Sequence, residues 1–227
     1  MKDSNTLSLN GYVQYPETEM VQRSAQFLKN MAVRRTVRDF SDKPVNREII
    51  ENCIKAAATA PSGANCQPWH FSVVSDQTVK TRIRRKAEEA EAQFYANEST
   101  QKWVKDLEHL GTTPSKPFLE KAPYLIVIFS QLCSYNENGQ KTAHYYVTES
   151  VGIATGMLIS ALHLSGLVTL TYTPASMRFL NRILDRPSHE KPFMILVTGY
   201  PEKEAQVPVI TKKTPQDFLT FFGSNHS

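Results

Sequence analysis

The 227-residue chain reads as a layered α+β or α/β domain of about four core strands around one central helix. Three observations carry that reading. Helical and strand-like stretches follow one another as helix, helix, strand, helices, strand, helix, strand, helix, strand. Tyr124–Phe129 is a continuous apolar run bounded by Pro123 and polar residues, the pattern of a strand buried on both faces. Thr142–Leu164 is apolar nearly all round past Val151, as a helix enclosed in a core or an interface must be.

Residues 1–15 are expected to form a loose arm. Glu17–Lys29 is helix-patterned, with partial apolar support from Met20, Ala25, Phe27 and Leu28. Asn46 can cap a second helix, in which Ile49, Ile50, Cys53, Ile54, Ala57 and Ala58 recur at helical spacing. Pro61-Ser62-Gly63 ends it. Trp69–Val74 is a strand. Asp76 opens a long charged helix to Asn97, and a short helix to His109 and a polar loop, Gly111–Ser115, follow. Leu167–Thr173 is a strand stopped by Pro174, Met177–Leu184 a short helix, and Phe193–Val197 the last strand. Beyond Pro201 the chain is polar, with an apolar stretch at Phe218–Phe222. No composition shift marks a boundary, so residues 16–227 read as a single domain.

Composition narrows the function classes. A chain with 21% charged and 41% hydrophobic residues is globular rather than disordered. Three separated cysteines, Cys53, Cys66 and Cys133, argue against a disulfide framework, a zinc ribbon or a thioredoxin-like site, and they suit a reducing compartment. The first twenty residues hold no apolar core, so no secretory signal is expected, and Val151–Leu162 is too short to span a bilayer. The expected setting is therefore the cytoplasm, without membrane or nucleic-acid partners. The net charge of +4 is scattered, which hints at an anionic ligand only. Neither a dinucleotide-binding glycine loop nor a phosphate-binding P-loop occurs, and the six histidines show no metal-ligand spacing.

Several segments could carry chemistry. Arg34-Arg35-Thr36-Val37-Arg38 can grip a phosphate by forked hydrogen bonds, although alone it reads more readily as a solvated basic turn. Ala60–Trp69 is a small-residue loop that lets backbone N–H groups approach a flat ligand; it could equally be a connector. Thr169, Thr171 and Thr173 share one face of a strand, which a half-buried sheet also explains. Glu91 and Tyr95 stand one helical turn apart, and Lys116 follows the polar loop. A solvated surface accounts for these three as well.

Together, the Arg34–Arg38 run, Ala-Pro-Ser-Gly-Ala-Asn-x-Gln-Pro-Trp at 60–69, the strand ending Thr173-Pro174, and Pro187-x-His-Glu-Lys191 resemble the nitroreductase-like flavoproteins. Glu91, Tyr95 and Lys116, with His144-Tyr145-Tyr146, resemble the iodotyrosine deiodinase branch. The resemblance covers residues 15 to 218. It implies an α+β fold with a mostly antiparallel sheet flanked by helices, a long buried helix at a homodimer interface, and FMN bound at that interface. Arg34, Arg35, Thr36, Val37 and Arg38 would then hold the phosphate, ribityl chain and ring edge of FMN. Pro61 and Ser62 would meet the flavin from the partner subunit. Thr171, Tyr172 and Thr173 would line it, with Thr173 donating to flavin N5. Lys212 falls where the family has an arginine on the phosphate, a point charge in place of a fork. Within a lid spanning residues 88–116, Glu91 would take the ammonium of a halotyrosine, and Tyr95 and Lys116 its carboxylate. The Ala64 N–H would meet the substrate phenolate.

The activity implied is reductive dehalogenation of halotyrosines, with electrons from an external reductase or NAD(P)H. Two other readings stand beside it. One is a general NAD(P)H-dependent nitro- or quinone reductase, and the other a non-catalytic flavin- or amino-acid-binding protein.

Overall fold

The computed structural model describes residues 6–107 and 112–223. Two compact units divide at Arg35/Thr36. The first contains α1 (Glu17–Ala32), which buries none of its side chains. Within it Arg23 bonds Glu19 at 2.8 Å and stacks on the Tyr15 ring at 3.8 Å.

The second unit is built on a four-stranded sheet, β1 (Trp69–Val74), β2 (Tyr124–Gln131), β5 (Val168–Tyr172) and β6 (Glu190–Gly199), in the order β1-β2-β6-β5. Every pairing is antiparallel. β2 explains the architecture. Leu125, Val127 and Phe129 point into one apolar cluster while Ile126 and Ile128 point into another, and all five are fully buried. Such a strand needs cover on both faces. The first cluster is closed by α3 (Gln77–Ala96), α5 (Phe118–Lys121) and α7 (Phe179–Ile183). The second is closed by α2 (Arg47–Ala57) and α6 (Val147–Leu164), which pack on each other. A register shift in β2 lies opposite Pro192 of β6, where proline has no N–H for the ladder.

Side-chain caps set the helix starts. The Asn46 side chain accepts from the Glu48 N–H, and that of Asp76 from Val79, so α2 and α3 begin where the sequence indicates. α6 does not. Thr142 belongs to β4 (Lys141–Ala143), which pairs with β3 (Cys133–Tyr135) in a separate hairpin. Tyr146 is left-handed at φ 49°, and the helix starts at Val147. α4 covers Gln101–Leu107; the expected extension to His109, and Gly111 of the following loop, lie outside the described residues. The last two strands run longer at the N-terminal side or shorter than expected: β5 stops at Tyr172, before Thr173, and β6 starts at Glu190.

α6 is 18 residues long with mean hydropathy 1.3, enough by length and composition alone to cross a membrane. Here it packs Val151, Ala154, Leu158 and Leu162 into the second cluster. Its Gly152, Ile153 and Gly156 are exposed.

Candidate active site

β5 runs beside the segment that starts the second unit. Thr36 bridges Thr169 in parallel, and the Val37 N–H donates to the Thr169 carbonyl at 3.1 Å. That bond sets Arg38 beside the C-terminal end of β5, on a cleft of about 350 Å³. Arg38 is partly buried, and no carboxylate among the described residues lies within ion-pair distance of it. Burial lowers its pKa below the usual arginine value, and the nearby Asp39 charge offsets that only in part. Thr171 and Thr173, both exposed, offer hydroxyls to the same cleft. A partly desolvated guanidinium and a pair of hydroxyls suit an anionic, flat, hydrogen-bonding ligand.

The other wall carries Lys116, just before α5, with Glu91 and Tyr95 behind it on the last turns of α3. Helical spacing puts Glu91 and Tyr95 on one face, and the chain after α4 returns Lys116 to them. Lys116 Nζ lies 3.2 Å from Glu91 Oε2 in an ion pair that is almost entirely buried. The same ammonium donates to the Thr113 carbonyl and sits 5.8 Å from the Tyr95 ring and 5.6 Å from the Tyr172 ring. Tyr95 donates to the Thr112 hydroxyl at 3.1 Å. Tyr172 donates to Glu91 Oε1 at 3.4 Å. Burial, with the Glu91 carboxylate next to it, pushes the Tyr172 hydroxyl far above its usual pKa, so it keeps its proton.

Two residues that sequence reasoning missed complete this wall. Glu88 accepts from the Lys116 N–H at 2.6 Å and from Arg84 at 2.8 Å. Burial raises its pKa, but these bonds outweigh burial and hold the carboxyl below its usual range. Phe118 packs edge-on against Tyr172 at 5.5 Å. Glu88, one turn before Glu91 on the same helix, was the only sequence signal for either.

The loop before β1 is strained in a way composition did not announce. Ala64, Asn65 and Gln67 all have φ near +50°. Each costs of order 1–3 kcal/mol and persists only where its surroundings hold it. Here the Gln67 N–H donates to the Ser62 hydroxyl at 2.9 Å and the Gly63 N–H to Ser150 of α6 at 3.4 Å. A Cβ on Gly63 would stand 2.7 Å from Tyr146 Cδ2, so any larger residue has to push that ring aside.

The structure thus gathers Arg38, Thr171, Thr173 and Lys116 on one cleft, with Glu91, Tyr95 and Tyr172 around the lysine. It does not bring Pro61, Ser62, Ala64 or Lys212 to that cleft's lining; Pro61, Ala64 and Lys212 are exposed. Thr36 and Val37 act through their backbone along β5. Arg34 and Arg35 close the first unit.

Residues 31–200 match the model of the Nitroreductase family. The chain is 47% identical over 200 residues to iodotyrosine deiodinase of Haliscomenobacter hydrossis, covering 88% of this chain and 90% of that one. It is also 47% identical over 200 residues to iodotyrosine deiodinase 1 of Homo sapiens, covering 88% of this chain and 69% of that one. Among solved structures, oxidised iodotyrosine deiodinase bound to FMN and 3-iodo-L-tyrosine superposes with a TM-score of 0.71 at 32% identity, over 86% of this chain and all of that one.

Proposed function

We infer the function from descent and site together: the chain belongs to the nitroreductase family, among its iodotyrosine deiodinases, and it is an FMN-dependent oxidoreductase that reductively dehalogenates halotyrosines. The carrying observation is the buried Glu91–Lys116 pair set against a cleft lined by the partly buried Arg38 guanidinium and the Thr171 and Thr173 hydroxyls.

The residues fit both ligands. An amino-acid zwitterion requires an anion for its ammonium and donors for its carboxylate. Glu91 supplies the first, and Lys116 and Tyr95 the second. Arg38, Thr171 and Thr173 suit FMN, which when bound supplies the two electrons. The carbon–halogen bond breaks, halide leaves, and one proton with two electrons makes the new C–H bond of tyrosine. The protein's part is to hold the ring against the flavin, keep the phenolate bound, and exclude water as the lid residues close. The left-handed Ala64 backbone belongs to this reading as a phenolate donor, offered from the partner subunit of a homodimer. The exposed outer face of α6 and the exposed Phe218, Phe221 and Phe222 support that assembly.

The test is anaerobic incubation of the dithionite-reduced, FMN-loaded protein with 3-iodotyrosine. Stoichiometric tyrosine and iodide are expected. Binding without tyrosine would leave a binding protein, and NADPH consumption with nitroaromatics but no halide would select a general reductase.

A further inference from the structure

We propose that Tyr172 is a positioning residue for amino-acid recognition: its hydroxyl anchors the Glu91 carboxylate while Lys116 is exchanged for the substrate's ammonium. This rests on the halotyrosine reading above and deepens it.

Tyr172 sits on β5 between Thr171 and Thr173 but, by strand alternation, faces the other way, into the first apolar cluster. Its ring is fixed edge-on against Phe118. Its hydroxyl meets Glu91 Oε1, while Lys116 meets Oε2. The carboxylate therefore has one partner per oxygen, and the partners come from different places. Tyr172 comes from a core strand. Lys116 comes from the chain between α4 and α5, held by Glu88 and the Thr113 carbonyl.

Glu91 and Lys116 neutralise each other in this arrangement. A zwitterion can engage both only if they part, and a buried carboxylate deserted by its cation is costly. A donor that stays on Glu91 throughout lowers that cost and keeps Oε2 aimed at the incoming ammonium. Tyr172 qualifies, because it stays protonated and its backbone is fixed in the sheet. The role is specific to substrates that carry an ammonium. A halophenol without an amino-acid end leaves the Glu91–Lys116 pair closed and gains nothing from Tyr172. The bland alternative is a core aromatic whose hydroxyl is incidental.

Tyr172→Phe separates the two, since the ring and its packing remain. The measurement is the Kd of 3-iodotyrosine for the oxidised holoprotein, followed by flavin fluorescence, with kcat and KM on 3-iodotyrosine and 2-iodophenol. The expected result is a Kd and KM for iodotyrosine raised about three- to tenfold, the range of one hydrogen bond of ordinary strength, as suits a contact of 3.4 Å. Turnover number and 2-iodophenol kinetics stay within about twofold. In a Glu91→Gln background the same change has an effect of less than about twofold, because the two residues act as a unit. An unchanged Kd, or an equal loss on both substrates, overturns the proposal. The Kd is read without turnover, so a protein that binds iodotyrosine tightly yet releases no tyrosine overturns only the dehalogenase reading.

Discussion

Lys116 shows how one side chain joins stability to recognition. It lies within a buried pair, so Lys116→Ala leaves the Glu91 carboxylate enclosed with Tyr172 as its remaining partner. Stranding a buried charge costs about 3–5 kcal/mol, and the opening left by alanine admits some water, so the lower end is expected in denaturant unfolding. The same variant is expected to bind halotyrosine at least about tenfold more weakly, since a charge-assisted contact to its carboxylate is lost. It should keep its flavin colour, because Arg38, Thr171 and Thr173 are untouched; a colourless preparation would place Lys116 on the cofactor instead. Gly63→Ala tests the strained loop. Its Cβ would meet the Tyr146 ring at 2.7 Å and force it aside, a loss of about 1–3 kcal/mol that Tyr146→Ala in the same background should partly restore. Only part of this was legible from residue order. Spacing alone placed Glu91 and Tyr95 on one face. It could not bring Lys116 to them, because that contact is made by chain return and not by periodicity. Tyr172 lines the cleft beside its threonine neighbours, but its hydroxyl reaches Glu91, a contact that strand alternation alone does not reveal.

Elements were most readable where local chemistry and burial agree. α3 is bounded by an Asp76 cap and presents Ile83 and Ala87 to the core, and the sequence marks both its ends within a residue. β2 is apolar throughout because helices cover both faces, which the uninterrupted run announces. The start of α6, at Val147 and not Thr142, has a physical reason. Residues 142–146 tolerate a helix by composition, yet Asn136 accepts from the N–H groups of Asn138 and Gln140 and turns the chain into the β3–β4 hairpin. The Asn-Gly at 138–139, with Gly139 at φ +73°, was the available signal. α3 also links stability to the site, since its first turn is held by a cap and its last turns carry Glu91 and Tyr95. Asp76→Ala removes the bond to Val79 and is expected to cost about 1 kcal/mol. Fraying fades within a turn or two, so halotyrosine affinity should not change. A matching loss of affinity would mean that α3 moves as one lever.

At the scale of the whole molecule, acid and assembly are the informative probes. Burial lowers the His70 pKa from 6.5, helped by the Arg186 charge. Below 6.5 the unfolded chain takes up a proton that the folded one resists, so stability falls with pH from there down to the folded value. Glu190 is buried, which raises its pKa, but Arg186 and Gln131 bind it and hold it below 4.5. Its contribution is present above 4.5 and is lost as pH falls through the lower folded value. Urea midpoints should therefore drop in two stages on the acid side, and His70→Gln should flatten the first stage and weaken the second only slightly, because the His70 charge is a lesser contributor than the Arg186 and Gln131 bonds in holding Glu190 low. Assembly is tested on α6. Its outer face exposes Ile153, 47% accessible, between Gly152 and Gly156, where nothing within 4 Å would meet an added Cβ. A second copy of this helix could approach closely there, and the proposed dimer offers Pro61 and Ser62 to the neighbouring flavin. Ile153→Glu puts a charge on that face without touching the core side of the helix. The expected outcome is a monomer by sedimentation equilibrium that folds with wild-type secondary structure and retains FMN poorly. A dimer of undiminished yellow colour would move the subunit contact away from α6 and with it the proposed origin of the loop at 61–64.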